Sequence, residues 1–221
     1  MIRLTLAAVA ALTLAACQQP EAAAPVETAQ VETTPVAAPQ DGMAPAFTLV
    51  DAEGVQRSLA DFRGRTVVLE WTNEGCPYVQ KHYGAGAMQA LQREATADGV
   101  VWLTIVSSSP GTQGFVEGDA ARAFKAKHQA AYTHLLLDPT GQVGKLYDAR
   151  TTPDMRVIDP EGRVVFTGGI DDRPTNRPED LQGADNFVRA ALADMKAGRP
   201  VQTRFAQPYG CSIKYPETVE G

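Results

Sequence analysis

The segment Thr66-Val67-Val68-Leu69-Glu70-Trp71 carries β-branched or apolar side chains at positions that point to both sides of an extended chain. Such a strand is stable only where both faces are covered, as in a sheet flanked by helices. A second segment, residues 100–106 (Val-Val-Trp-Leu-Thr-Ile-Val), has the same character. Two doubly buried strands point to an α/β protein.

The intervening sequence fits that class. Residues 47–50 and 55–59 flank the turn Asp51-Ala52-Glu53-Gly54 and predict a short hairpin. A helix is expected from Pro77, because proline is favoured at the first helical position. Val79, Tyr83, Ala87, Ala90 and Leu91 keep helical spacing, and a break is expected at Gly84 and Gly86. Asp119 is placed as the N-cap of a helix running through Phe124 to Gln129. Leu135, Leu136 and Leu137 form a short strand, and residues 155–158 and 163–168 form a hairpin around Asp159-Pro160-Glu161-Gly162. A last helix covers 185–196, with Phe187, Val188, Ala191, Leu192 and Met195 on one face. Together these imply a mixed central sheet with helices on both faces.

Charge narrows the function. Among 221 residues, 20 are Lys or Arg and 26 are Asp or Glu, a net charge of −6. That balance argues against a nucleic-acid partner, which requires a basic surface. Residues 1–16, with Arg3 ahead of a Leu/Ala/Val/Thr run, read as an export signal too short to span a bilayer comfortably. The run closes with Leu14-Ala15-Ala16-Cys17, which resembles the lipobox of bacterial lipoproteins. The resemblance implies lipidation of Cys17 and attachment to a membrane, with Gln18 leaning towards the outer one; a plain cleaved signal is the alternative. Residues 17–42 contain Pro20, Pro25, Pro35 and Pro39 and no aromatic side chain, and read as an unstructured tether. The folded domain is expected over 43–200, followed by a tail, 201–221. Export places it where disulfides persist, with two thiols besides Cys17: Cys76 and Cys211.

Cys76 follows the most apolar strand and precedes Pro77, so its thiol faces the amides at a helix start, which favour a thiolate. A merely buried cysteine is the alternative. Glu70, inside the apolar strand, is either a buried carboxylic acid, with the raised pKa that suits proton transfer, or a paired or edge residue. His82 and His128 are expected to be solvent-facing or hydrogen-bonded, Arg150 to lie on the surface, and Asp171-Asp172 to form a solvated turn.

The combination of residues 67–71, Asn73-Glu74-Gly75-Cys76-Pro77, and Thr151-Thr152-Pro153 before a hairpin strand resembles the thioredoxin superfamily. With Leu59-Ala60-Asp61-Phe62-Arg63-Gly64 in front, it is similar to the redoxin branch that includes the AhpC/TSA peroxiredoxins, over roughly residues 44–198. The resemblance implies a cis bond at Pro153, a Thr152-Pro153 loop against Cys76 that pairs with substrate backbone, and a proton-accepting role for Glu70. Two positions depart from the pattern. Val79 stands where thioredoxins have their second cysteine, and Asn73 where peroxiredoxins have Thr or Ser. The tail Pro208-Tyr209-Gly210-Cys211-Ser212 is similar to that of a subgroup of exported redoxins. Cys211 is then a resolving thiol, a static disulfide partner of Cys76, or unpaired. The implied activity is thiol chemistry on a protein disulfide or a peroxide, restored by an external thiol reductant, without metal or organic cofactor. A non-catalytic binding or metal-handling module of the envelope is the alternative.

Overall fold

The computed structural model describes residues 42–217. The expected export signal, Cys17 and nearly all of the tether lie outside the described residues.

The sheet contains eight strands in the order β2-β1-β5-β4-β3-β7-β8-β9. Its front hairpin is β1 (Thr48–Asp51) and β2 (Gln56–Ser58). The doubly apolar segments become β3 (Val67–Trp71) and β4 (Val101–Val106), which pair in parallel and are buried at every position. β5 (His134–Leu137) continues the parallel set beyond β4. On the other side of β3 run the antiparallel strands β7 (Asp154–Ile158) and β8 (Val164–Gly168).

Alternation along β3 explains why both faces need cover. Val68 belongs to one core with Cys76, Tyr83, Met88, Leu91, Trp102, Phe124 and Val188. Val67, Leu69 and Trp71 belong to the opposite core with Phe47, Phe62, Leu103, Val143 and Tyr147. Each fully buried aliphatic side chain contributes roughly 1.5–3 kcal/mol. A residue slip in β3 would reverse the two sets. The first core is covered by α1 (Pro77–Gly84), α2 (Ala87–Ala97), α3 (Gly118–Lys127) and α5 (Phe187–Lys196). The second is covered by the short α4 (Gln142–Leu146) and the 3-10 turn Leu59–Phe62. Helices therefore occupy both faces, unequally.

The expected break falls between α1 and α2, where Gly86 adopts φ 74°. α3 starts earlier than expected: Glu117 is its N-cap and Asp119 lies inside its first turn, where a carboxylate favours the positive helix end. α5 is capped by Asn186, whose side chain accepts from the Arg189 amide.

The tail is woven into the domain. Its strand β9 (Phe205–Ala206) adds in parallel to β8. Close approach is possible because Gly168 lacks a side chain: a Cβ there would sit 1.8 Å from the Ala206 carbonyl oxygen. Farther on, β10 (Cys211–Ser212) pairs antiparallel with β6 (Thr151–Thr152) in a separate two-stranded ladder.

Candidate active site at the start of the first helix

Cys76 is the N-cap of α1, with extended backbone (φ −81°, ψ 122°) and Pro77 at the first helical position. The turn before it is built by Asn73, whose carbonyl accepts from the Cys76 amide at 3.0 Å. The Asn73 side chain accepts from Gly75 N–H at 2.9 Å and donates to the Gln113 carbonyl at 3.0 Å. The residue standing in place of a peroxiredoxin hydroxyl thus holds the loop itself. Thr152–Pro153 is a cis peptide. Its loop lies against the sulfur, with Cys76 Sγ 3.1 Å from the Thr152 carbonyl oxygen.

The tail completes the site. Cys211 is the register partner of Thr152, and Ser212 of Thr151. Gly210 has φ 133°, and a Cβ there would lie 2.1 Å from the Thr152 carbonyl oxygen, so glycine alone lets the strand approach. Beyond the ladder, Ile213 is buried and donates its amide to the Arg150 carbonyl at 3.1 Å. Tyr215 donates to the Ala149 carbonyl at 2.6 Å. Under this strap Cys76 is 0% exposed, whereas Cys211 is partly exposed; both are free thiols.

The electrostatics of the two sulfurs are opposed. Burial disfavours the Cys76 anion, but the Cys211 thiol, the Thr152 side chain and the Val79 and Cys211 amides outweigh it. Together they hold Cys76 below the ordinary cysteine value. The Val79 amide contributes without closing a capping hydrogen bond. The Thr152 carbonyl accepts the proton of the neutral thiol and pulls the other way. For Cys211, burial and the neighbouring Cys76 sulfur push the pKa up. The two thiols are therefore shifted in opposite directions, Cys76 being the easier of the pair to ionise.

Glu70 is fully buried but is not brought into contact with Cys76. Its carboxylate accepts from Trp102 Nε1 (2.7 Å), Tyr83 hydroxyl (2.9 Å), Gln92 Nε2 (3.0 Å) and Thr104 hydroxyl (3.1 Å). Burial pushes its pKa up against those four donors. It ties α1 and α2 to β4. Arg150 is exposed and pairs with Asp148 at 2.8 Å. His128 bonds Glu74 at 3.1 Å, and His82 is buried beside the Tyr209 hydroxyl at 3.3 Å.

Asp171 corrects the expectation of a solvated turn. It is 4% exposed, enclosed by Lys81, His82 and Tyr209, while its neighbour Asp172 remains exposed. Sequence patterning missed this cluster, because nothing local distinguishes Lys81, and the expectation for His82 was only a solvent-facing or hydrogen-bonded ring. The one available signal was a tyrosine two residues before Cys211.

A helix-capping cysteine beneath a cis-proline loop, on a mixed sheet of this order, defines a thioredoxin-like redoxin. The AhpC/TSA family model matches residues 41–167, and the chain belongs to the AhpC/TSA family. No curated protein matches it. Among solved structures it is similar to an uncharacterized conserved protein from Geobacillus kaustophilus. The two are 27% identical with a TM-score of 0.68, over 80% of this chain and 92% of the other. A hypothetical protein from Sinorhizobium meliloti 1021 is 26% identical with a TM-score of 0.68, over 80% of this chain and 94% of the other. The family match ends before Cys211, so the tail pairing is established by the structure.

Proposed function

We propose that the protein is a dithiol oxidoreductase in which Cys76 is the attacking thiolate and Cys211 the resolving thiol. The observation that carries this is the β6–β10 ladder, which sets the Cys211 thiol beside the Cys76 sulfur. With a peroxide, the Cys76 thiolate attacks one oxygen, the O–O bond breaks, and the departing oxygen takes a proton to leave as an alcohol or water. The Cys76 sulfenic acid then reacts with Cys211, losing water and leaving a Cys76–Cys211 disulfide. With a disulfide substrate, Cys76 forms a mixed disulfide and releases one thiolate. Attack by Cys211 releases the second and leaves the same intramolecular disulfide. Two equivalents of an external thiol reduce it and are themselves oxidised.

The Thr152-Pro153 loop supports substrate binding, since it lines the sulfur. Glu70 is retained as a proton acceptor only through its raised pKa; its hydrogen bonds favour a structural part. The Leu14–Cys17 sequence supports export and a lipid anchor, with the domain held at a bacterial envelope membrane. Among the described residues no helix is long and apolar enough to cross a membrane.

Complete burial of Cys76 favours a second reading, a closed and non-catalytic pair that serves as a binding module. Non-reducing peptide mapping after one equivalent of hydrogen peroxide or oxidised glutathione separates the two. The dithiol mechanism expects the Cys76–Cys211 disulfide to form and to reopen with dithiothreitol, no oxidation in Cys76→Ser, and a trapped sulfenic acid or mixed disulfide in Cys211→Ser. Failure of the wild-type pair to form, or unchanged turnover in Cys211→Ser, overturns it.

A further inference from the structure

Two polar residues of α1 are buried for no reason that packing supplies. Lys81 and His82 are each 1% exposed, on the helix that Cys76 caps. A buried ammonium is strongly unfavourable unless paired. Lys81 Nζ lies 3.4 Å from Asp171 Oδ2 and donates to the Arg173 carbonyl at 2.6 Å. The other Asp171 oxygen accepts the Tyr209 hydroxyl, and His82 Nε2 stands 3.3 Å from that hydroxyl and 3.7 Å from the carboxylate. The Lys81 ammonium is 5.4 Å from the Tyr209 ring centroid, and Tyr78 meets the same ring edge-on at 5.9 Å. Everything in this cluster converges on one tail side chain. Only Gly210 separates that side chain from Cys211, and Gly210 passes directly over the Thr152 carbonyl.

We infer that Lys81, His82 and Asp171 form a receptor for Tyr209 whose task is to position Cys211 over Cys76. The inference rests on the proposed reversible pairing of the two thiols. A two-residue span is short, so fixing the tyrosine fixes the following thiol within a narrow volume and raises its effective concentration at Cys76. Tyr209 is a positioning residue: its partners are Asp171, His82, Lys81 and Tyr78, and it acts on the sulfurs only through the strand that follows it. The hydrogen bond it makes is to the carboxyl group that pairs with Lys81, and hydrogen bonds to a charged partner are about twice as strong as neutral ones. Tyr215 anchors the other side of β10 by a neutral bond to the Ala149 carbonyl, and provides the comparison.

The test uses full-length protein equilibrated with oxidised and reduced glutathione. Two thiols of the protein are oxidised to the Cys76–Cys211 disulfide, while one oxidised glutathione is reduced to two glutathione thiols. The equilibrium constant measures how well Cys211 is placed. Tyr209→Phe keeps the ring and its contact with Lys81 but removes the hydroxyl, and is expected to lower the constant at least tenfold. Tyr215→Phe, which removes a neutral bond from the same tail, is expected to lower it less than fivefold. An unchanged constant in Tyr209→Phe, or equal losses in the two variants, overturns the receptor while leaving the dithiol mechanism standing. No disulfide in the wild type overturns both. Asp171→Asn is a second variant expected to fall on the same side as Tyr209→Phe.

Discussion

Gly210→Ala tests whether the tail strand is what closes the site. A methyl group at this position would meet the Thr152 carbonyl oxygen at 2.1 Å and its carbon at 2.8 Å. Ordinary contact lies near 3.5 Å, so the strand must move by about 1 Å or more. That displacement breaks the β6–β10 ladder, because hydrogen bonds fail beyond about 3.2 Å. Two ladder bonds at about 1 kcal/mol each, with roughly 1–3 kcal/mol for a side chain in a glycine-only backbone region, amount to about 3–5 kcal/mol against the docked tail. At 1.36 kcal/mol per tenfold, opening becomes more frequent by at least about 100-fold. Part of the gain in reactivity is lost, because the donors from Cys211 that stabilise the Cys76 anion leave with the strand. The expected net rise in the rate of Cys76 alkylation by iodoacetamide at neutral pH, followed on the Cys76 peptide by mass spectrometry, is at least tenfold. A rate within twofold of wild type, with a cooperative melt showing an intact domain, would refute the claim that β10 covers the sulfur.

Two further predictions concern buried titratable groups. Burial raises the Glu70 pKa, so the stability that depends on its protonated form is present below the unfolded carboxyl value of about 4.3 and is lost as pH rises through the folded value. Glu70→Gln is therefore expected to gain on wild type between pH 4 and 7.5 in urea melts; parallel stability curves would show that the carboxyl does not titrate as described. His82 moves oppositely: burial, reinforced by Lys81 and opposed by Asp171, lowers its pKa to about 4. Its contribution is present above the unfolded value of about 6.5 and is lost as pH falls from there through the folded value, by up to roughly 3 kcal/mol. His82→Gln should flatten that acid slope, and an equal slope in both proteins would count against it.

Much of the architecture was legible in the chain itself. The doubly apolar segments at 66–71 and 100–106 demanded cover on both faces, and Pro77 after Cys76 announced a helix whose first turn meets a thiol. These are local signals: side-chain period, proline's fixed backbone angle and the absence of its amide hydrogen. Cys76, Thr152 and Pro153 could be named as partners because their motifs sit at fixed places in a recognisable fold.

The identity of the strand that meets Thr152 was a different kind of fact. Residues 201–221 contain turn formers and little periodicity, so nothing local says that Phe205 and Ala206 extend the sheet or that Cys211 pairs with Thr152, fifty-nine positions earlier in the chain. Asp171 looked like solvent-facing turn chemistry, and nothing local marked Lys81 as buried. Their burial depends on where Tyr209 arrives after the chain has crossed the domain. Sequence determined which residues could react, because nucleophilicity follows from side-chain type and the local helix start. Tertiary structure alone decided which thiol pKa is lowered and which is raised, because that difference depends on groups brought together from three separate places in the chain, Val79, Thr152 and Cys211.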